Sequence, residues 1–267
     1  VKAFLFNSEL CTGCYQCQIA CKDEHCGNDW TPYAKPQPET GQFWLKVTEY
    51  VRGTVPKVKV NHVVTLCQHC EDAPCIPICP EEAISKRDDG LVIIDPQKCS
   101  GCQLCLEACP YGVIYFNQGL KLAQKCTGCA HLIDRGYPIN EPRCTDSCIP
   151  GAFIFGEKSA LDTAGTETLN PEFGLTTNVF YKNLPKTFIA GTVYDSGKEE
   201  IVEGATCTLS GTASGTATTD GFGDFWFEGL EEGTYSLQIS ATGYSAKTIS
   251  DISTMEESQN LGNIDLA

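Results

Sequence analysis

No stretch of the 267 residues approaches the eighteen or so consecutive apolar residues of a membrane-crossing helix, so no span is expected in this chain. Basic charge is scarce too. Nineteen Lys and Arg stand against 34 Asp and Glu, for a formal net charge of -15, which argues against nucleic acid as a partner. There is no Gly-rich dinucleotide fingerprint, no P-loop and no nucleophile elbow, so substrate chemistry is expected to reside in a partner and no catalytic residue is assigned here. The opening VKAFLFNSEL lacks an apolar signal core, and mean hydropathy is an ordinary -0.16; together these point to a cytoplasmic protein of one to two domains.

Cysteine is what the chain has in excess. Sixteen of its eighteen cysteines fall into four quartets: Cys11, Cys14, Cys17, Cys21; Cys67, Cys70, Cys75, Cys79; Cys99, Cys102, Cys105, Cys109; and Cys126, Cys129, Cys144, Cys148. Three cysteines separated by two residues let one loop face three corners of an iron–sulfur cube, while a fourth, three residues on, is carried away toward a different cube. The third quartet, CSGCQLCLEACP, has that spacing throughout, including its closing Pro110. The second widens one gap to four residues, the fourth inserts fourteen in its middle, and the first has Lys22 where a proline would follow. That proline stiffens a turn and supplies no ligand, so its loss costs little.

Other cysteine-rich designs fit less well. Disulfide scaffolds are short secreted chains. Structural zinc takes four ligands from two C-x-x-C pairs and gives no reason for triplets. A thioredoxin-like motif needs one such pair beside a βαβ pattern, not several overlapping ones. The expected cofactors are four [4Fe–4S] clusters, or three if one site is empty. Because each cube and its thiolates are anionic, nearby Lys22, Lys98, Lys125, Arg135 and Arg143 are candidates to offset the charge, with plain surface solvation as the alternative for each.

Regular structure before residue 160 is short. Lys57 to Leu66 and Leu91 to Asp95 are β-branched and predict strands; Gln16 to Asp23 and Leu104 to Ala108 predict short helices; residues 27–56 predict a loop or hairpin insertion. Residues 158–186 are polar and aperiodic, expected as a linker or partner-contacting arm. From Thr187 to Ala267 apolar residues alternate, as in Cys207 and Leu209, Phe225 and Phe227, and Tyr235, Leu237 and Ile239, which predicts an antiparallel β-sandwich. This tail holds thirteen Asp and Glu against two Lys, so most of the negative charge lies there. Cys207 is in phase with the buried positions and reads as an inert thiol; Cys26 reads as unliganded; His62, His69 and His131 have no convergent partner in the sequence.

The segments CQHCEDAPCIPICPEEAI, DPQKCSGCQLCLEACPYG and KCTGCAHLIDRGYPINEPRCTDSCIPGA, with Asp95, Lys98, Tyr111, Gly112, Lys125 and Arg135 at linking positions, resemble the iron–sulfur subunits of the dimethyl sulfoxide reductase family of molybdopterin oxidoreductases. The resemblance covers residues 1–157. Motifs G-x-V-x-D at 191–195 and T-D-G-x-G-x-F at 219–225 make the tail similar to transthyretin-like and Cna-B-like sandwiches, and the order of the two parts points to the hydroxyl-transferring branch of the family.

The resemblance implies an α+β chain with two double-cluster ferredoxin-like units, one from residues 1–60 with 120–157 and one from 61–119. It also implies cross-ligation: Cys11, Cys14 and Cys17 with Cys148; Cys126, Cys129 and Cys144 with Cys21; Cys67, Cys70 and Cys75 with Cys109; and Cys99, Cys102 and Cys105 with Cys79. The implied partner is a large catalytic subunit holding a molybdenum bis-pterin cofactor, in a heterodimer that moves a hydroxyl between polyhydroxybenzenes. Two alternatives stand beside it: an electron-transfer subunit of another molybdenum reductase or dehydrogenase, and a free-standing polyferredoxin.

Overall fold

The computed structural model describes residues 1–136 and 140–267; residues 137–139, inside the insertion of the fourth quartet, lie outside the described residues. The chain forms two compact units. The first comprises Val1–Glu49 and Asn61–Leu184, the second Tyr50–Val60 and Pro185–Ala267.

In the first unit, β1 (Lys2–Asn7) is followed by α1 (Gln16–His25), and a hairpin of β2 (Leu45–Thr54) and β3 (Lys57–Leu66) begins here and runs into the second unit. Short elements come next: β4 (Ile84–Lys86) paired with β5 (Val92–Ile94), α2 (Leu104–Ala108), and β6 (Tyr115–Asn117) paired with β7 (Leu122–Gln124). The unit continues with α3 (Ala130–Arg135), α4 (Arg143–Asp146), β8 (Phe153–Glu157) and β9 (Val179–Lys182). Strand β1 is buried at four consecutive residues, which requires cover on both faces. It is the middle strand of its sheet, antiparallel to β8 with Phe4 opposite Phe155, and parallel to β9 with Phe4 opposite Val179. Phe4, Phe6, Phe153 and Tyr181 are all buried there, with ring centroids 5.4 to 6.2 Å apart along the stack.

Strand β9 corrects the reading of residues 158–186 as a linker or arm: up to Leu184 they belong to the first unit. Val179 and Tyr181 point into the core, and Tyr181 exchanges both backbone hydrogen bonds with Glu167. Two inward residues are too few to show a period among polar neighbours.

The second unit holds β10 (Thr187–Asp195), β11 (Glu200–Ile201), β12 (Thr206–Gly211), β13 (Gly215–Thr218), β14 (Asp224–Leu230), β15 (Thr234–Ser240), β16 (Lys247–Ser253) and β17 (Gln259–Asp265). One sheet places β10 between β14 and β17 with β11 beside it, and the other runs β13-β12-β15-β16. Cys207 lies opposite Ile239 and Leu209 opposite Leu237, all four buried, as the alternation demands.

Strand β10 departs from that alternation. Phe188 through Gly191 are all buried, because the hairpin tip 50–60 supplies cover for the outer face of the sheet. At Gly53, in the left-handed region at φ 78°, an added Cβ would fall 2.4 Å from Phe188 Cζ, so only glycine lets the tip approach. Lys57, buried, pairs with Asp224; Lys59 Nζ stands 4.9 Å above the Trp226 ring; and Asn260 Nδ2 donates to the Thr54 carbonyl at 3.0 Å. The expected boundary at 187 therefore misplaced one segment: residues 50–60 belong with the sandwich.

Candidate metal centres

Three of the four C-x-x-C pairs that open a ligand loop have glycine before the second cysteine: Gly13, Gly101 and Gly128, at φ 65°, 76° and 63°. The left-handed turn folds two thiols toward one point, and it is crowded: a Cβ at Gly13 would lie 2.3 Å from the His62 ring, one at Gly101 2.2 Å from the Lys121 carbonyl oxygen, and one at Gly128 2.7 Å from Leu91. The second quartet has His69 at this place, with φ 45° and no exposure. A left-handed non-glycine residue persists only where its surroundings fix it. Here Nδ1 accepts the Val92 amide at 2.9 Å, the backbone carbonyl accepts Asn178 Nδ2 at 3.0 Å, and the ring stacks 5.9 Å from Phe4.

These turns gather the thiols across the quartets. Cys11, Cys14, Cys17 and Cys148 line one cavity (site I). Cys67, Cys70, Cys75 and Cys109 line another (site III), and Cys79, Cys99, Cys102 and Cys105 a third (site IV). Cys21, Cys126, Cys129 and Cys144 lie within electrostatic reach of one another, all buried (site II). In each, three cysteines come from one quartet and one from its mate. Cys26 and Cys207 stay outside all four, and no cysteine is disulfide-bonded. Among the described residues no three His, Cys, Asp or Glu are placed to hold a single metal ion.

Burial is the largest influence on the more enclosed of these thiols, and neighbouring thiols add to it. It pushes Cys17, Cys70, Cys105 and Cys126 up to about 12 and Cys75 up to about 11, and raises Cys21 and Cys144 well above the ordinary range. The buried thiols among them are therefore costly to ionise alone, and a cationic core that binds them, as a cubane has, would offset that cost. Backbone amides donate to four of the sulfurs: Gly128 N–H to Cys126 and Phe153 N–H to Cys148, each 3.3 Å, Ala83 N–H to Cys79 at 3.4 Å, and Ala123 N–H to Cys99 at 3.5 Å.

The sites follow one another through the first unit. Cys17 of site I acts on Cys144 of site II, Cys67 of site III on Cys126 of site II, and Cys75 of site III on Cys105 of site IV. The ends of the row reach the surface: Cys14 in site I and Cys102 in site IV are exposed, whereas every cysteine of site II is buried.

Residues 58–158 match the 4Fe-4S dicluster domain family, and residues 188–267 match the carboxypeptidase regulatory-like domain. Over 272 aligned residues the chain is 35% identical to the pyrogallol hydroxytransferase small subunit of Pelobacter acidigallici, covering 96% of this chain and 96% of that one. It belongs to the family of iron–sulfur subunits of dimethyl sulfoxide reductase-type molybdenum enzymes. Members also include a tetrathionate reductase subunit from Salmonella typhimurium, 33% identical over 70% of this chain and 74% of that one. A subunit of the anaerobic dimethyl sulfoxide reductase of Escherichia coli is 34% identical over 57% of this chain and 72% of its own. The cofactor of this family is the [4Fe–4S] cluster, and no helix among the described residues is long and apolar enough to cross a membrane. The tail, expected as transthyretin-like or Cna-B-like, thus matches as a carboxypeptidase regulatory-like β domain.

Sequence reasoning passed over His69, for which no role was assigned. Its signal is local: it is the one non-glycine before the second cysteine of the four opening pairs.

Proposed function

We propose that sites I to IV each hold one [4Fe–4S] cluster through the four cysteines that surround them. Sites I and II then form one double-cluster ferredoxin unit and sites III and IV the other. Each bound cluster supplies storage for one electron; the chain's own residues fix the spacing, exclude water from site II and leave Cys14 and Cys102 near the surface at the two ends. The observation that carries this reading is the row itself, buried in its middle and exposed at both ends, which is the arrangement a conductor between two surfaces requires.

The chain is accordingly read as the electron-transfer subunit of a heterodimer whose large subunit holds molybdenum and the catalytic centre. Similarity along 96% of a pyrogallol hydroxytransferase small subunit, tail included, favours hydroxyl transfer between polyhydroxybenzenes over the reductases, which share less of this chain. A cytoplasmic location belongs to the same proposal, since sixteen ligand thiols need a reducing compartment. Purification of the native complex tests it: molybdenum, about sixteen irons per small subunit and pyrogallol-dependent hydroxyl transfer are expected. Iron without a molybdenum subunit would leave a free-standing carrier instead.

A further inference from the structure

Five basic side chains lie close to the cysteine loops in sequence, and the fold separates one from the rest. Lys98 and Arg135 are exposed. Lys22, half-buried, donates to the carbonyls of Pro38 and Gly41. Arg143 pairs with Asp146 and with Glu24. Lys125 is 2% exposed, and its ammonium donates to two backbone carbonyls only, those of Val92 and of Cys126, the latter at 3.0 Å. Among the described residues no carboxylate pairs with it.

A buried ammonium with no counter-ion costs several kcal/mol or more, so proteins seldom keep one unless an anion faces it. Lys125 lines the site III cavity beside Cys67, Cys70, Cys75 and Cys109, and it immediately precedes Cys126 of site II. Among the described residues, the anions placed to face it are the cysteine-ligated groups of those two sites. Lys57 provides the contrast: equally buried in the other unit, it has Asp224 for a partner.

We propose that Lys125 is the shared counter-charge of sites II and III and holds the reduction potentials of the two middle clusters above those they would have without it. The inference rests on the four-cluster reading. A fixed positive charge in a poorly polarisable interior stabilises the reduced, more negative cluster more than the oxidised one, so it raises the potential. Because Lys125 stands at the junction of the two units of the row, it makes the middle of the row a favourable place for an electron to rest.

The test is potentiometric titration, followed by electron paramagnetic resonance, of the complex with its large subunit carrying Lys125→Met, which keeps length and removes charge. Two of the four cluster transitions should move to more negative potential while the other two stay. No movement in a fully loaded variant, or equal movement of all four, overturns the proposal. If Lys125→Met does not load, Lys125→Arg and Lys125→Gln decide: loading with Arg but not Gln supports a charge role. Loading with Gln at unshifted potentials, or with neither, means that the site needs the lysine's shape or hydrogen bonds, and overturns it. Failure of the four-cluster reading would be visible separately, as an iron content well below sixteen in the unmodified complex.

Discussion

His69 and Lys125 hold the two polar ends of one residue: the imidazole Nδ1 accepts the amide hydrogen of Val92 at 2.9 Å, and the ammonium donates to the Val92 carbonyl. Burial first, and the Lys125 charge second, push the His69 imidazole well below its ordinary range, so the ring is neutral with its proton on Nε2. A ligand turn of site III is thereby fastened to β5, and through it to the lysine beside site II.

His69→Gly removes the strained φ but orphans the Val92 amide, whereas His69→Ala keeps the strain and orphans the amide as well. The glycine variant should therefore be the more stable of the two by about 1 kcal/mol, and both should fall below the original chain by about 1–3 kcal/mol for the unsatisfied donor. The half-life of iron–sulfur absorption in mild denaturant gives the order. Equal half-lives for the two variants would show that the left-handed turn is unstrained.

Cys21→Ser should damage site II, with Cys126, Cys129 and Cys144, and spare site I, although Cys21 is four residues from Cys17 in the chain. Mössbauer spectroscopy should show one cluster converted or lost and the cluster of Cys11, Cys14, Cys17 and Cys148 retained. The reverse pattern would sink the pairing of the quartets.

Removal of residues 185–267 should leave the iron content unchanged, because the second unit contributes none of the sixteen grouped cysteines. The hairpin tip should nevertheless change. Without Phe188, Asp224 and Trp226 the segment 50–60 loses its partners and becomes a site of rapid proteolytic cleavage. A tip that stays resistant would mean that the hairpin holds its form unaided.

Lys57→Met strands the Asp224 carboxylate in a partly buried place and should destabilise the sandwich by about 3 kcal/mol. Burial pushes Asp224 up, but the hydrogen bonds from Lys57 and Thr192 outweigh it and hold the carboxyl below its ordinary value. A group depressed in the folded state contributes stability above its unfolded value, near about 3.9, and loses that contribution as pH falls through the lower folded value. Hydrogen exchange of β14 amides should accelerate in acid in the original chain, and the Lys57→Met variant should lack that part of the pH dependence.

The four cysteine quartets were legible because their spacing is a local property, and so was the sandwich, whose period of two needs only a few residues to appear; which quartet shares its fourth cysteine with which is not local and came only from the family resemblance. Long-range pairings were not. Lys57 reads as one more charge on a strand until Asp224, far along the chain, meets it. Val179 and Tyr181 mean nothing until β1 lies beside them. Lys125 was one basic residue among five near the clusters, and only burial without a carboxylate distinguishes it.

Sites III and IV are nested in the sequence within sites I and II. Every thiol lining site III or IV has been synthesised once residue 109 is made, whereas site I waits for Cys148 and the central strand β1 waits for Val179. The order of translation therefore allows the inner pair to be completed first. The proposed inner pair has all its thiols in hand while Cys11, Cys14 and Cys17 still lack Cys148, and β1 is closed only after both.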